Sequence, residues 1–179
     1  MVGINLREEE QLGLMSKLAD HWTAVPGEPL ESWRFRESWY FGRADAIVYH
    51  ALLRALRPAR VLEVGSGYTS ALALDTRERF LPELELTFID PNPERLYGLL
   101  RQDDRRACEI IPERVQEVPL EVFDRLEPGD ILFCDTEHFV KAGSEVNWLV
   151  FNVLPRIAPG VIVHFHDIFW PFEYTRDWL

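Results

Sequence analysis

Residues Arg60–Leu74 read RVLEVGSGYTSALAL, and this stretch decides the fold that the sequence predicts. The apolar run Arg60–Val64 is typical of a buried strand, and Thr69–Arg77 predicts a helix. The two glycines between them permit a tight bend, which a ligand can approach closely because glycine has no side chain. Glu63 stands just before this bend, so the sequence places a carboxylate beside a candidate binding site.

The alternation of strand and helix continues along the rest of the sequence. Four further apolar runs predict strands, and the segments between them predict helices. The predicted strands are Leu84–Ile89, Cys108–Ile111, Asp130–Cys134 and Val161–Phe165, and the predicted helices are Asn92–Arg101, Pro119–Leu126 and Ser144–Leu154. This order predicts the α/β class, with a doubly wound, mostly parallel sheet that carries helices on both faces.

Two predicted helices precede the first strand and form an N-terminal helical extension over residues 1–58. The second covers about Arg43–Arg57. Helical spacing predicts buried faces made of Leu12, Met15, Ala19 and Trp22 in the first helix, and of Ile47, Val48, Ala51, Leu52 and Ala55 in the second. We expect residues 59–179 to form the ligand-binding domain, and the whole chain to fold as one compact unit.

The 179-residue chain has a net charge of −11, which is distributed unevenly. Residues 1–60 contain 8 acidic and 8 basic residues, which leaves 22 acidic and 11 basic residues in residues 61–179. A chain this acidic has no general attraction for phosphate backbones or anionic lipids. The composition therefore argues against nucleic acid and membranes as partners.

The sequence also predicts a cytoplasmic location. No apolar run approaches the roughly 20 residues of a membrane span. The N-terminal stretch MVGINLREEEQ has no apolar core of the kind found in signal peptides. The only cysteines, Cys108 and Cys134, lie in apolar runs, which favours free thiols in a reducing compartment over a disulfide.

Acidic residues follow most of the predicted strands at the point where each strand ends. Glu63 leads into the glycine bend, Asp90 follows the second strand, Asp135 the fourth, and His166-Asp167 the fifth. In a doubly wound sheet, ligands bind beyond these carboxyl ends. Because four such carboxylates would meet at one edge, we expect that edge to bind a ligand.

The bend itself indicates which charge the ligand carries. The run Gly65-Ser66-Gly67-Tyr68-Thr69-Ser70 has Ser70 where a dinucleotide-binding bend needs a third glycine or alanine. A phosphate-binding P-loop is also absent, because no Gly-Lys-Ser/Thr follows the bend. A carboxylate before the bend suits a positively charged ligand better than a pyrophosphate.

Four stretches, in order, resemble one family. They are LEVGSGYTSAL, FIDPNPERL, GDILFCDTEH and the closing PRIAPGVIVHFHDIFWPFEYTRDWL. The first three resemble motifs of class I S-adenosylmethionine (SAM)-dependent methyltransferases. The last resembles bacterial small-molecule O-methyltransferases of the macrolide-sugar type, and the likeness covers about Ser38–Leu179. It implies methyl transfer from SAM to a hydroxyl group of a small molecule.

The resemblance also implies which residues bind the cofactor. Asp90 would accept the ribose hydroxyls, and the bend would approach the amino acid portion of SAM. Glu63 would orient the bend or hold the methionyl ammonium, and Asp135 would lie near the sulfonium, the ammonium or a metal. Gln116 would contact the adenine, where the family usually carries an acid. The implied cofactor-binding residues are Glu63, Gly65, Ser66, Gly67, Tyr68, Asp90, Gln116 and Asp135.

Transfer to a hydroxyl requires that a proton be removed, by a base or with the help of a metal. His138 stands where catechol-type methyltransferases, which the chain resembles here, carry a lysine base, and Lys141 is a second candidate. Their Mg²⁺ ligands correspond to Asp135, His166 and Asp167. Histidine is a softer ligand than Mg²⁺ prefers, so Mg²⁺, another divalent cation and no metal all stay open.

The remaining expectations concern the acceptor, the sheet edge and rival functions. The aromatic residues Tyr40, Phe169 and Trp170 are candidates for the acceptor pocket. The family usually adds strands six and seven. We expect this sequence to lack them, and a homodimer to cover the open edge. One alternative is a non-catalytic or truncated domain that binds SAM or S-adenosylhomocysteine (SAH). A less favoured one is a nicotinamide-dependent oxidoreductase.

Overall fold

Five parallel strands form one sheet in the computed structural model, which describes residues 3–23, 25, 31–169, 172 and 176. Their order across the sheet is β3-β2-β1-β4-β5, so the chain starts in the middle and winds outward in both directions. The strands are β1 (Arg60–Val64), β2 (Glu85–Ile89), β3 (Glu109–Ile111), β4 (Ile131–Cys134) and β5 (Ile162–Phe165). The predicted α/β class with a doubly wound parallel sheet is confirmed.

Helices connect the strands and also precede them. They are α1 (Glu8–Leu18), α2 (Arg43–Leu56), α3 (Tyr68–Phe80), α4 (Glu94–Tyr97) and α5 (Glu145–Trp148), with 3-10 turns at Ala19–His21, Asp104–Arg106 and Leu120–Arg125. A π-helical segment, Leu149–Val153, continues α5.

The predicted helix over Asn92–Arg101 is wrong in its extent, since α4 covers only Glu94–Tyr97. Asn92 does not cap it. Instead, the Asn92 backbone N–H donates to Asp90 Oδ1 at 2.8 Å, so this residue extends the turn after β2. An aspartate that bonds to the backbone two residues ahead offers the chain a turn in place of a helix.

The sheet separates two apolar cores, because alternate residues of each strand point to opposite faces. One core contains Phe88, Phe133 and Leu72 together with Trp33 and Tyr49 from the segment before β1. The other lies under α5 and contains Phe123, Leu132 and Leu149. The N-terminal helical region therefore shares a core with the sheet, while the predicted boundary at residue 58 stays a prediction.

The predicted buried faces of the two N-terminal helices are largely wrong. Leu12 of α1 is 68% exposed, and in α2 the buried residues are Ala46, Tyr49, His50, Ala51 and Leu53. The face of α2 is turned because the Tyr49 ring packs on Phe133 with centroids 4.5 Å apart. His50 is also tied down, since its Nδ1 lies 2.8 Å from Thr76 Oγ1.

A buried cluster of charges joins the segment before α2 to the helices that follow β1. The Arg34 guanidinium contacts Asp75 Oδ1 at 2.9 Å and Asp104 Oδ1 at 2.5 Å. Asp75 Oδ2 also accepts the backbone N–H groups of Arg34 and Phe35, each at 2.8 Å. Both carboxylates are buried, so Arg34 and the backbone N–H donors together stabilise their charge and fix this segment to α3.

Two other features bear on expectations from the sequence. Within the described ranges, β4 is the only strand that pairs with β5, so one edge of β5 has no strand neighbour, and a homodimer at that edge stays a prediction. Cys108 and Cys134 are free thiols, while the cytoplasmic location stays a prediction. A search of the described helices finds none with the length and apolar character needed to cross a membrane.

Replacing Arg34 with alanine is expected to lower the free energy of unfolding by about 3–5 kcal/mol, because two carboxylates would stay buried without their cation. Urea unfolding followed by circular dichroism measures the change. Arg156→Ala is the matched control, since Arg156 pairs with Asp124 at the surface and its loss should cost much less. Equal losses in the two variants would contradict the role assigned to Arg34.

Candidate functional site

The parallel register brings the acidic strand ends together at one edge of the sheet. The Asp135 backbone N–H donates to Val64 O at 2.9 Å, and the His166 N–H donates to Cys134 O at 2.9 Å. Asp90 follows β2 on the other side of β1 and acts electrostatically on Glu63, as Asp135 also does. The predicted gathering of carboxylates around the end of β1 is therefore present.

The first glycine of the bend is required by a close contact with the neighbouring strand. Gly65 has φ +87°, and a Cβ built on it would lie 1.7 Å from the carbonyl oxygen of Asp135. Gly67 lies beneath another side chain, because a Cβ there would be 3.0 Å from Arg95 Cδ. The bend is thus held between the end of β4 on one side and Arg95 on the other.

Glu63 lies beneath the bend and is fully buried, with an exposure of 0%. Its Oε1 accepts the hydroxyl of Thr69 at 2.5 Å and the hydroxyl of Ser70 at 2.7 Å. The Ser70 hydroxyl oxygen also accepts the backbone N–H of Gly67 at 3.0 Å. Of the two roles predicted for Glu63, orienting the bend is the one that these hydrogen bonds support.

Burial raises the pKa of Glu63 to about 8, although the hydroxyls of Thr69 and Ser70 act in the opposite direction. The negative charges of Asp135 and Asp90 raise this pKa further. Its second oxygen, Oε2, is buried and has no hydrogen-bond partner among the residues that the structure describes. Glu63 is therefore largely protonated at neutral pH when no cation lies above the bend.

Asp90 is held by the bend and by its own turn. Asp90 Oδ2 accepts both the backbone N–H and the hydroxyl of Ser66, each at 2.8 Å, while Oδ1 accepts the N–H of Asn92. A carboxylate has about four acceptor positions, and three are used here. One position on Oδ1 remains for a ligand while Ser66 stays in this conformation.

A second group of titratable side chains lies at the ends of β4 and β5. Ligand atoms of Asp135, His138 and Asp167 all lie within 4.8 Å of one another, close enough to share a metal ion. His138 Nε2 is 3.5 Å from Asp167 Oδ2 and 4.0 Å from Asp135 Oδ1. His166, which was predicted as a metal ligand, lies beside this group, with its Nε2 3.4 Å from Asp167 Oδ1. The histidine within the group is His138, which was predicted as the base.

Burial and neighbouring charges of both signs shift the pKa of Asp135 in this group. Burial raises the pKa of Asp135, and Asp167 acts in the same direction, while His166 and His138 oppose the rise. His164, two residues before His166, stacks on Phe133 at a centroid distance of 4.5 Å. Burial lowers the pKa of His164 to about 4, so this ring is neutral and contributes packing.

Other predicted residues lie at the border of the site. Lys141, the second candidate base, is exposed and pairs with Glu137 at 3.7 Å. Gln116 donates through Nε2 to Gly143 O at 3.3 Å, and its buried Oε1 has no partner in the described part of the chain. Tyr68 opens α3, and Tyr40 lies over Arg95. Phe169 is half-buried, whereas Trp170 lies outside the described residues.

Three further residues, which were not predicted as site residues, lie at this edge of the sheet. Thr69 was treated only as the start of a helix, although its hydroxyl binds Glu63. Glu145 is half-buried, and its pKa is raised by burial and by the charges of Glu137 and Asp90. Arg95 covers Gly67. Only Thr69 carries a signal in sequence, because a hydroxyl two residues after a Gly-x-Gly bend is placed to reach the preceding strand.

Comparison with known proteins agrees with this geometry. A family model described as a methyltransferase domain matches residues 62–168, which is more than half of the chain. The chain belongs to this methyltransferase-domain family. The matched residues include the bend and the acidic ends of β2, β4 and β5.

Several individual proteins are similar to this methyltransferase-domain protein. An uncharacterized protein of Archaeoglobus fulgidus is 30% identical over 139 residues, which cover 73% of this chain and 62% of that protein. The chain thus spans less than two thirds of the length of this relative. Of solved structures, SAH-bound Podospora anserina methyltransferase PaMTH1 has 16% identity and a TM-score of 0.48, with 94% of this chain and 73% of that chain covered. The structure of cmcI-N160 with SAH has 18% identity and a TM-score of 0.47, with 88% and 79% covered.

Replacing Gly65 with alanine is expected to destabilise the methyltransferase domain more than the same change at Gly129. Both glycines have positive φ, so each substitution carries a conformational cost of roughly 1–2 kcal/mol. Only Gly65 would also overlap a backbone oxygen, whereas nothing lies within 4 Å of a Cβ at Gly129. Urea unfolding compares the two, and an equal loss at both positions would contradict the close contact with Asp135.

Replacing Glu63 with glutamine is expected to stabilise the ligand-free domain increasingly as pH rises. With the pKa of Glu63 raised from 4.5 to about 8, the folded protein binds more protons than the unfolded chain between these values. The free energy of unfolding of the wild type therefore falls with rising pH in this window, by at most about 1.4 kcal/mol per pH unit from this group.

Unfolding at several pH values between 5 and 9 measures the difference between Glu63→Gln and the wild type. Glutamine does not titrate, and its amide oxygen still accepts from Thr69 and Ser70. Glu83→Gln, which removes an exposed carboxyl, is the matched control. If the difference in unfolding free energy between the two proteins stayed constant with pH, the pKa of Glu63 would not be raised in the folded domain.

Proposed function

We propose that this protein transfers a methyl group from SAM to a hydroxyl group of a small molecule. Membership of the methyltransferase-domain family supports methyl transfer. The observation that carries the cofactor assignment is the set of carboxylates from Glu63, Asp90 and Asp135 around a glycine bend with no phosphate-binding lysine. Such an edge suits a cofactor that is cationic at sulfur and has no phosphate.

Asp90 is suited to the ribose of SAM, because a carboxylate forms strong, charge-assisted hydrogen bonds to a pair of hydroxyls. Ser66 already occupies Oδ2 with two donors. For Asp90 to accept both ribose hydroxyls, the Ser66 hydroxyl must rotate away while its backbone N–H stays in place. Ser66 therefore stands in for the ribose when the cofactor is absent.

The positive groups of SAM fit the region between Glu63 and Asp135. An ammonium or sulfonium above the bend would favour the ionised form of Glu63, whose pKa burial otherwise raises. Asp135 lies at the end of β4, where its backbone oxygen touches Gly65. We assign Asp135 to the positive end of the cofactor, and Glu63 to the support of the bend from below.

Gln116 is the candidate for adenine recognition. Its Oε1 is a buried acceptor without a partner, and its Nε2 is fixed by Gly143. An adenine amino group would supply the missing donor. Glu145 lies close enough to Asp90 for their charges to interact, so it lies at the same edge of the site.

The acceptor would react beside Asp135, His138 and Asp167. Two carboxylates and an imidazole fit a divalent cation such as Mn²⁺ or Zn²⁺ better than Mg²⁺, which prefers oxygen ligands alone. Such a cation, when bound, lowers the pKa of a coordinated hydroxyl. Without it, His138 would take the hydroxyl proton on Nε2, while Asp167 at 3.5 Å stabilises the imidazolium that forms.

Two other functions remain as alternatives from the sequence. A domain that binds SAM or SAH without turnover would share the cofactor edge, and only an activity measurement separates it from an enzyme. A nicotinamide-dependent oxidoreductase is disfavoured, because Glu63 would lie under the pyrophosphate and the buried Ser70 is bonded to Glu63. A thermal shift with NAD but none with SAM would favour the oxidoreductase.

Calorimetric titration with SAH is the first test of the proposal, and the wild type is expected to bind. Asp90→Asn should weaken SAH binding about 10- to 100-fold, because hydrogen bonds from the ribose to a charged group are lost. Ser66→Ala is the matched control, since it removes the competing hydroxyl and should leave the affinity unchanged or higher. No binding of SAH to the wild type at millimolar concentration would end the proposal.

Methyl transfer from labelled SAM to a panel of hydroxylated small molecules tests catalysis in the same preparation. The panel is assayed after chelation and again with Mg²⁺ or Mn²⁺ restored. Activity that survives chelation and is lost in His138→Gln assigns His138 as the base, while activity that returns only with a metal assigns it as a ligand. SAH binding without transfer to any acceptor would favour the non-catalytic alternative.

A further inference from the structure

Arg95 lies over the glycine bend, although it belongs to a different element. It is the second residue of α4, five positions after Asp90. A Cβ built on Gly67 would lie 3.0 Å from Arg95 Cδ and 4.0 Å from its Nη1. The side chain therefore runs across the second glycine, with its guanidinium at the border of the proposed cofactor site.

Two tyrosine rings flank the guanidinium. Arg95 Cζ lies 4.6 Å from the centre of the Tyr40 ring and 5.8 Å from the centre of the Tyr68 ring. Tyr40 comes from the segment before α2, and Tyr68 directly follows Gly67 in the first turn of α3. Aromatic faces attract a guanidinium without neutralising it, so these rings orient the side chain and leave its edge available.

No carboxylate forms an ion pair with Arg95 among the residues that the structure describes. Arg34, Arg60 and Arg156 differ in this respect, since each pairs with an aspartate at 3.2 Å or less. Arg95 nevertheless lies close enough to Asp135 to lower the pKa of that carboxyl. A guanidinium that forms no ion pair with a described carboxylate keeps N–H donors available for an external anion.

The bend consequently has two ends of opposite charge. Gly65 packs on the backbone of Asp135, whereas Gly67 lies under Arg95. An amino acid group laid across the two glycines would put its ammonium toward Asp135 and its carboxylate toward Arg95. The reverse orientation would bring a carboxylate against Asp135, where like charges repel.

We propose that Arg95 binds the carboxylate of the methionine portion of SAM. This inference rests on the proposed function, because it assumes that SAM is the cofactor. The planar guanidinium matches a carboxylate with two parallel N–H donors, and the tyrosine rings keep that plane in place. Arg95 thereby recognises the one negatively charged group of a cofactor whose other charges are positive.

The test compares SAH with 5′-methylthioadenosine, which keeps the adenine, ribose and sulfur but has no amino acid group. In calorimetric titrations, Arg95→Gln should weaken SAH binding about 10- to 100-fold, the effect typical of losing a hydrogen bond between charged groups. The same variant should bind 5′-methylthioadenosine as tightly as the wild type does. Arg95→Lys, which keeps the charge without the fork, should recover part of the lost SAH affinity.

Arg105→Gln is the matched control, because Arg105 also stacks on a tyrosine, with Cζ 4.9 Å from the Tyr97 ring centre. It lies outside the bend and should leave both affinities unchanged. Unchanged SAH affinity in Arg95→Gln would overturn the inference and leave the proposed function intact. Equal weakening of both ligands would also overturn it, since the effect would not depend on the carboxylate. Failure of the wild type to bind SAH would instead remove the proposed function and this inference together.

Discussion

The contact between Gly65 and the backbone oxygen of Asp135 is the constraint on which the site depends. A side chain at Gly65 would lie 1.7 Å from that oxygen, so the bend after β1 and the end of β4 can meet only because the residue is glycine. Glu63 fixes the same bend from below through the hydroxyls of Thr69 and Ser70. The bend is therefore set by close packing on one side and by buried hydrogen bonds on the other.

This rigid bend has chemical consequences because the charges around it are unevenly distributed. Acidic side chains lie toward the end of β4, and Arg95 covers the opposite glycine. A zwitterionic amino acid group matches such an arrangement, whereas a pyrophosphate would meet the buried Glu63. The buried Oε2 of Glu63 and Oε1 of Gln116 lack partners, which is costly unless a ligand or water supplies them. A cofactor that donates hydrogen bonds to these two oxygens would remove this cost, and its binding would be favoured accordingly.

Much of the fold and part of the site were predictable from the sequence. Every strand was predicted to within a residue or two, because continuous apolar runs bounded by turns are a local signal. The predicted gathering of Asp90 and Asp135 with Glu63 followed from topology alone, since parallel strands end at the same edge. The burial faces of α1 and α2 were not predictable in this way, because Tyr49 and His50 are buried by partners from distant strands and helices.

The sequence by itself determined that strands alternate with helices and that carboxylates follow the strand ends around a glycine bend. Those features depend on residues close together in the chain, where the backbone fixes their relative positions. Only the tertiary structure decided that His138 lies close enough to Asp135 and Asp167 to share a metal ion with them, with His166 beside this group, and that Arg95 covers Gly67. Such contacts join side chains from separate loops, and their distances depend on how whole elements pack, which sequence spacing does not encode.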